Sequence, residues 1–294
     1  MLENFLSVVE RYGFIPNGGR IYYLGRSQPP MLIPMVKAYY DATSDTDFIK
    51  NNVGMLEQEF QYWMNNHMIT INGREYALYG DKTSGPRPES YFEDIETSQS
   101  FETEEARQEH FAELKAGAES GMDFSSRWFI KNGGKDGTLI DIKCRSIVPV
   151  DLNAFLFHNA KLLSEFFLIA GDSVKSTQYA AKAQVIYEAV QELLYDEDEG
   201  VWFDYDLINK KLRNYYTPSN LIPLWAKCYN EAQSENIAQN VLKYIEKHEL
   251  DHFPGGVPNT LDHTGEQWDF PNVWPPMQVS KKNFFVKKNV TLCM

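Results

Sequence analysis

Four stretches of this 294-residue chain gather the side chains that could do chemistry on a polar, uncharged ligand. Residues 16–30 read Pro-Asn-Gly-Gly-Arg-Ile-Tyr-Tyr-Leu-Gly-Arg-Ser-Gln-Pro-Pro, and residues 85–91 read Gly-Pro-Arg-Pro-Glu-Ser-Tyr. Residues 116–128 run from Ala116 through Glu119, Gly121, Met122 and Asp123 to Arg127 and Trp128. Residues 267–276 read Gln-Trp-Asp-Phe-Pro-Asn-Val-Trp-Pro-Pro. Each places amides, guanidinium forks or carboxylates beside aromatic rings, the combination that binds sugar hydroxyls and covers sugar faces. Any one of them is more readily read as a structural loop held by local hydrogen bonds. Four in one chain point to a polar site without naming its ligand.

The rest of the composition narrows the class. A net charge of −13 argues against a nucleic-acid partner, because phosphate backbones demand basic patches. Cys144, Cys228 and Cys293 stand far apart with no CxxC pair, so neither a zinc site nor a disulfide framework is expected. The acidic run Asp196-Glu197-Asp198-Glu199-Gly200 fails as a calcium loop because its glycine comes one place early, and it reads as a solvated turn. No apolar run approaches the ~18 residues of a membrane-spanning segment. The first residues lack the basic start and apolar core of a signal peptide.

Helical periodicity dominates the segments that must position these loops. Leu2, Phe5, Leu6 and Val9 form one apolar face, with Gly13 placed to stop the helix. Pro29-Pro30 opens a helix over residues 31–42, and Ile49, Val53, Leu56, Phe60 and Trp63 step by four and three through the next. Another helix is expected over Glu104–Glu119, and one over 151–170 with Asp151 as its N-cap and Gly171 closing it. Tyr179, Ala183, Ile186, Val190 and Leu193 extend the pattern, and Ile237, Val241, Leu242 and Ile245 supply a last stripe. Asn72-Gly73 between two short β-prone runs predicts a two-residue hairpin, and residues 201–205 are a candidate for a second. No linker divides the chain. Seven or eight helices joined by long loops, without a fixed-period repeat, make one all-α domain with its chemistry in the loops.

The same four stretches carry a resemblance. The run from Asn17 to Pro30 resembles one signature of the animal trehalases, an inverting glycoside hydrolase family. The run from Gln267 to Pro276 is similar almost letter for letter to another. The resemblance extends from Met1 to about Gln278. It implies an (α/α)6 toroid, hydrolysis of trehalose to two glucose molecules, and no metal or organic cofactor. By position in the matched segment, Asp123 would be the general acid that protonates the glycosidic oxygen. The family's substrate contacts map onto Asn17, Arg26, Ser27, Gln28, Arg87, Pro88, Glu89 and Gly121. Trp268 is either an apolar wall of the site or a core residue, and Arg127 and Asp151 could be structural partners.

There are also departures. Met122 stands where the family usually has tryptophan, which is expected to remove a flat ring from the site. The chain begins after the family's first signature, and residues 279–294 form a basic stretch that no longer resembles it. The family's catalytic base, a glutamate, belongs to a C-terminal part with no counterpart here, and neither Glu89 nor Glu119 matches it. The domain is therefore expected over residues 1–278, with a toroid incomplete at both ends, marginal stability and impaired activity. A non-catalytic trehalose-binding or regulatory remnant is the alternative reading. A related glycosidase acting on a different sugar is a third, disfavoured by residues 267–276.

Overall fold

In the computed structural model, which describes residues 1–277, a central helix made apolar on nearly every side organises the others. That helix, α6 (Val150–Ile169), buries Leu152, Phe155, Leu156, Leu163 and Phe166, and it packs against α2 (Leu32–Thr43), α3 (Thr46–Asn66), α7 (Ser173–Leu194) and α8 (Ile222–Trp225). A helix surrounded in this way has little need of a polar face.

The helices around it follow their sequence signals. In α1 (Leu2–Tyr12), Leu6 and Val9 are buried, and Gly13 ends the helix at φ 84° with its N–H on the Val9 carbonyl. Helix α2 begins directly after Pro29, Pro30 and Met31 and buries Leu32, Ile33 and Val36. Asp45 caps α3 by accepting the Phe48 N–H at 2.9 Å, and Ile49, Val53, Leu56, Phe60 and Trp63 form its buried stripe. Thr103 caps α5 (Glu104–Glu119), Asp172 caps α7, and α9 (Ser234–Lys247) buries Ile237, Val241, Tyr244 and Ile245. The hairpin β1 (Met68–Ile71) and β2 (Arg74–Ala77) turns through Asn72 at φ 50° and Gly73 at φ 80°, the pair of positive angles a tight two-residue hairpin needs.

Three expectations change. Asp151 does not cap α6: the helix starts at Val150 after Pro149, and both Asp151 oxygens are taken up by Arg127, Ser219 and the Leu152 N–H. Residues 201–205 do not make one strand. They divide into β5 (Val201–Trp202), paired with β4 (Tyr195–Asp196), and β6 (Tyr205–Asp206), which lies between β3 (Ile147–Val148) and β7 (Lys211–Leu212). The break falls at Phe203 and Asp204, both buried, with Asp204 bonded to Arg127. A short helix absent from the sequence reading, α4 (Tyr91–Ser98), follows residues 85–90 directly. The acidic run 196–200 is the turn between β4 and β5, where Asp196 Oδ1 accepts the N–H groups of Asp198 and Glu199. The basic stretch at 279–294 lies outside the described residues.

One buried ion network ties the irregular segment after α5 to this frame. Arg127 forks onto Asp204, Nε to Oδ2 at 2.8 Å and Nη2 to Oδ1 at 2.9 Å. It also forks onto Asp151, Nη1 to Oδ2 at 2.8 Å and Nη2 to Oδ1 at 3.1 Å, and Nη1 donates to Ser219 Oγ at 2.7 Å. Burial disfavours charge on Asp151, but the Arg127 guanidinium outweighs it and holds that carboxyl below its usual range. Arg127 and Asp151 are thus structural partners, 1% exposed each. Replacing Arg127 with Met leaves two buried carboxylates without their cation, and the expected loss is about 3–5 kcal/mol of unfolding free energy in a urea titration. Arg127→Lys keeps the charge but cannot fork, so its loss should fall between Met and the unsubstituted chain.

Several buried carboxyls give stability a second dependence. Burial raises Glu59 and Glu113 to about 7 and Glu119 to about 8. A raised carboxyl favours the folded state fully below its unfolded value and loses that advantage as pH rises through the folded one. His67, His110 and His158, lowered to about 4 by burial, act oppositely: their contribution is complete above the ordinary 6.5 and is lost as pH falls through 4. Between pH 6.5 and 8 only the carboxyls change among these groups, so the thermal midpoint should fall across that window. Glu119→Gln should flatten the slope. A midpoint that rises there, or an unaltered slope in the variant, would contradict the assignment.

Candidate active site

Asp123 lies four residues beyond the end of α5, on a loop whose path is set by Gly121. That glycine sits at φ 73°, and a Cβ added to it would lie 2.9 Å from Gln28 Oε1 and 3.0 Å from Trp274 Cζ2. Both the left-handed angle and the crowding require glycine. The Asp123 side chain is 34% exposed, so a ligand can reach it. Burial of its surroundings raises its pKa above the usual carboxylate value; Arg87 and Arg26 oppose the rise and Glu89 adds to it. A carboxyl in this setting holds its proton to higher pH than a free aspartate, as a general acid must.

Two arginines approach from neighbouring segments. Arg87 Nη1 lies 3.4 Å from Asp123 Oδ2, and the rest of its guanidinium forks onto Asp94, Nη2 to Oδ1 at 2.7 Å and Nε to Oδ2 at 3.1 Å. The guanidinium rests 4.9 Å from the centre of the Phe124 ring. Arg26 donates from Nη2 to Glu89 and lies 3.6 Å from Asp81 through Nη1. Pro88 opens the short 3-10 turn Pro88–Ser90 that carries Glu89, so its fixed backbone angle sets where Glu89 points from.

The remaining expected site residues divide between ligand-facing and framing roles. Asn17 is half-buried and its N–H is bonded to the Arg26 carbonyl at 2.9 Å, which holds the 16–30 loop closed on itself. Gln28 donates from Nε2 to the Ala118 carbonyl at 3.3 Å, beside Gly121. Ser27 is buried, with its hydroxyl on the carbonyls of Ile15 and Gln28 and its N–H on Glu119 Oε1 at 2.7 Å. Its polar groups hold the loop. The structure therefore brings Arg87 and Asp123 together, Arg26 and Glu89 together, and Gln28 against Gly121.

Met122 does not line the opening. It is 1% exposed, with its sulfur 3.4 Å from Arg127 Nη1, so the ring that methionine was expected to remove from the site would lie in the core at this position. Trp268 is half-buried against the core, and its backbone N–H donates to the Phe124 carbonyl at 2.9 Å. Asp269 is wholly buried and accepts from the Ser126 N–H and hydroxyl, Thr260 and Thr264. Residues 267–276 thus anchor the acid's loop from its far side.

Four residues here escaped the reading by sequence. Asp94 sits in the first turn of a helix too short to show a periodicity. Glu119, considered only as a catalytic base, is fully buried and also accepts the Gly80 N–H at 2.7 Å. Asp81 and Trp274 carried no signal of their own beyond lying in or near polar loops.

A small cavity bordered by Arg127, Asp204, Arg213, Thr260 and Asp262 lies behind this layer, and Asp123, Arg87 and Arg26 are not among its lining residues. Among the described residues, no group of three or more His, Cys, Asp or Glu side chains is arranged to hold a metal, and no helix is long and apolar enough to cross a membrane.

Comparison with known proteins agrees with this geometry. The family model described as trehalase matches residues 1–290. Trehalase of Apis mellifera is 49% identical over 282 residues, covering 95% of this chain and 45% of the relative. Trehalase of Homo sapiens is 44% identical over 282 residues, covering 95% and 48%. The chain thus spans about half the length of these relatives. Among solved structures, the neutral trehalase of Saccharomyces cerevisiae superposes with a TM-score of 0.74 at 21% identity, over 95% of this chain and 56% of that one, and shares the helical toroid fold. From the helical array, the loops that converge on Asp123, and a family match over nearly its whole length, this chain belongs to the trehalase family.

Proposed function

We propose that this chain provides the acid side of an α,α-trehalase site, which hydrolyses trehalose to two glucose molecules with inversion. The observation that carries the reading is Asp123 itself: a reachable carboxyl, raised by burial, with Arg87 3.4 Å away and the Arg26–Glu89 pair adding to its electrostatic setting. In the reaction, protonated Asp123 gives its proton to the glycosidic oxygen as the bond to the anomeric carbon breaks. Water adds to that carbon from the opposite face, through an oxocarbenium-like transition state. Arg26 and Arg87 bring guanidinium donors, Glu89 and the Gln28 amide oxygen bring acceptors, and Gly121 lets the backbone approach the sugar. Asn17 and Pro88 set the positions of the loops that carry Arg26 and Glu89.

An inverting enzyme also needs a second carboxylate to activate the water. Glu89 is paired with Arg26, Asp94 with Arg87, and Glu119 is wholly buried on two backbone N–H groups. We assign none of them to that role, and within the described residues only the acid is assigned.

Glucose release from trehalose by the 294-residue chain, measured beside Asp123→Asn, tests the proposal. The variant should lose about 10²–10⁴-fold in turnover while its circular dichroism stays unchanged. Turnover that survives the substitution places the acid elsewhere. Trehalose binding by calorimetry, with no glucose released by either form, would instead favour a binding role.

A further inference from the structure

Apart from its contact with Asp123, Arg87 is held at four points, and three of them lead to one residue. The Asp94 carboxylate accepts the Arg87 backbone N–H at 2.8 Å, Nε at 3.1 and 3.2 Å, and Nη2 at 2.7 Å. Nη1 is the guanidinium nitrogen directed at Asp123, 3.4 Å from Oδ2. The fourth hold is the Phe124 ring, which follows Asp123 in the chain and lies 4.9 Å beneath the guanidinium. Asp94 is 1% exposed, so no ligand reaches it. A buried carboxylate with this geometry fixes both the direction of the arginine and its effective charge.

We propose that Asp94 is a positioning residue for Asp123, acting through Arg87: it aims one guanidinium nitrogen at the acid and balances the charge that would otherwise ionise it. The proposal rests on the reading of Asp123 as the acid. The charged groups that act on Asp123 are Arg87, Arg26 and Glu89; those that act on or near Asp94 are Arg87 and Lys115, with the titratable but buried His110 beside them. Of these, only Arg87 contacts both carboxylates by hydrogen bonds. With Asp94 neutral, an unbalanced guanidinium beside Asp123 favours the carboxylate, and the acid loses its proton at lower pH.

The test is a carboxyl-carbon NMR titration of Asp123 in the full chain, with the resonance assigned by its disappearance in Asp123→Asn. In Asp94→Asn the midpoint should move to lower pH, and Asp94→Glu, which keeps the charge, should leave it near the unsubstituted value. Most of the shift should vanish in an Arg87→Met background. An unmoved midpoint in folded Asp94→Asn, or a shift of the same size without Arg87, overturns the proposal. If Asp94→Asn does not fold, the unsubstituted chain decides. Its Arg87 side-chain nitrogen resonances must shift as Asp123 titrates, and their indifference refutes the link.

Where the chain turns over trehalose, the alkaline limb of its pH profile should move to lower pH in Asp94→Asn, with about tenfold less activity on that limb. A purely structural loss would lower the profile without moving it. Because the titration needs no turnover, an unmoved midpoint tells against Asp94 alone, whereas turnover that survives Asp123→Asn tells against the reading of Asp123 as the acid.

Discussion

Arg127 holds together parts of the chain that share no regular structure. Its guanidinium joins the loop after α5 to the first turn of α6 through Asp151, to the break between β5 and β6 through Asp204, and to the turn before α8 through Ser219. Asp204 also accepts the Val150 N–H, so the start of the central helix depends on the same carboxylate. Only a planar cation with five donors can satisfy both acids and a hydroxyl at once. Such a buried network is weak as a source of net stability, because desolvation offsets most of the Coulomb gain. What it supplies is a single arrangement: either every partner is in place or a buried charge is left alone. The loop that carries Asp123 inherits that all-or-none geometry, and Asp269 reinforces it from the other side through Ser126.

Carboxyls of similar chemistry are thereby given different work by their surroundings. Burial pushes Glu119 up to about 8, yet it is fully buried and its oxygens accept from Ser27 and Gly80. Its place is to fasten two site loops to the end of α5. Asp151 and Asp204 share the fork of one buried guanidinium. Asp123 is raised in the same direction as Glu119 but keeps a third of its side chain exposed. A perturbed pKa therefore marks a site only when a substrate can reach the group, and exposure is what separates Asp123, the proposed acid, from its neighbour four residues earlier.

How much of this was legible in the sequence follows from the range of each interaction. The apolar steps of α1, α3 and α9 are local, and they placed those helices, although Leu242, counted in the α9 stripe, is exposed. Asn72-Gly73 gave its hairpin for the same reason. Asp151 misled because a carboxylate before an apolar run has the form of a cap, and nothing local reveals an arginine 24 residues upstream. Helix α4 offers eight residues with three carboxylates among them, too few turns for a stripe, so its Asp94 went unseen. Asp123 and its arginines were visible through the likeness of their segments to a family. Their types alone fit a structural loop more readily. The inward direction of Met122 is a matter of side-chain packing that spacing does not encode.

The arrangement around the acid also has an electrostatic logic. A sugar hydroxyl is best met by charged donors, but charged donors pull a nearby carboxyl toward ionisation, which a general acid must resist. The two arginines near Asp123 each bring their own anion: Arg26 is set against Glu89 and Asp81, and Arg87 against Asp94. Pairing offsets much of the positive charge while leaving Arg87 Nη1 directed at Asp123. Burial is the largest influence on Asp123 and raises its pKa despite the opposing pull of Arg87 and Arg26. A neutral disaccharide has no charge to be attracted, so nothing is lost by cancelling the field. A phosphorylated or carboxylated substrate would call for the opposite arrangement, with the guanidinium groups left unpaired.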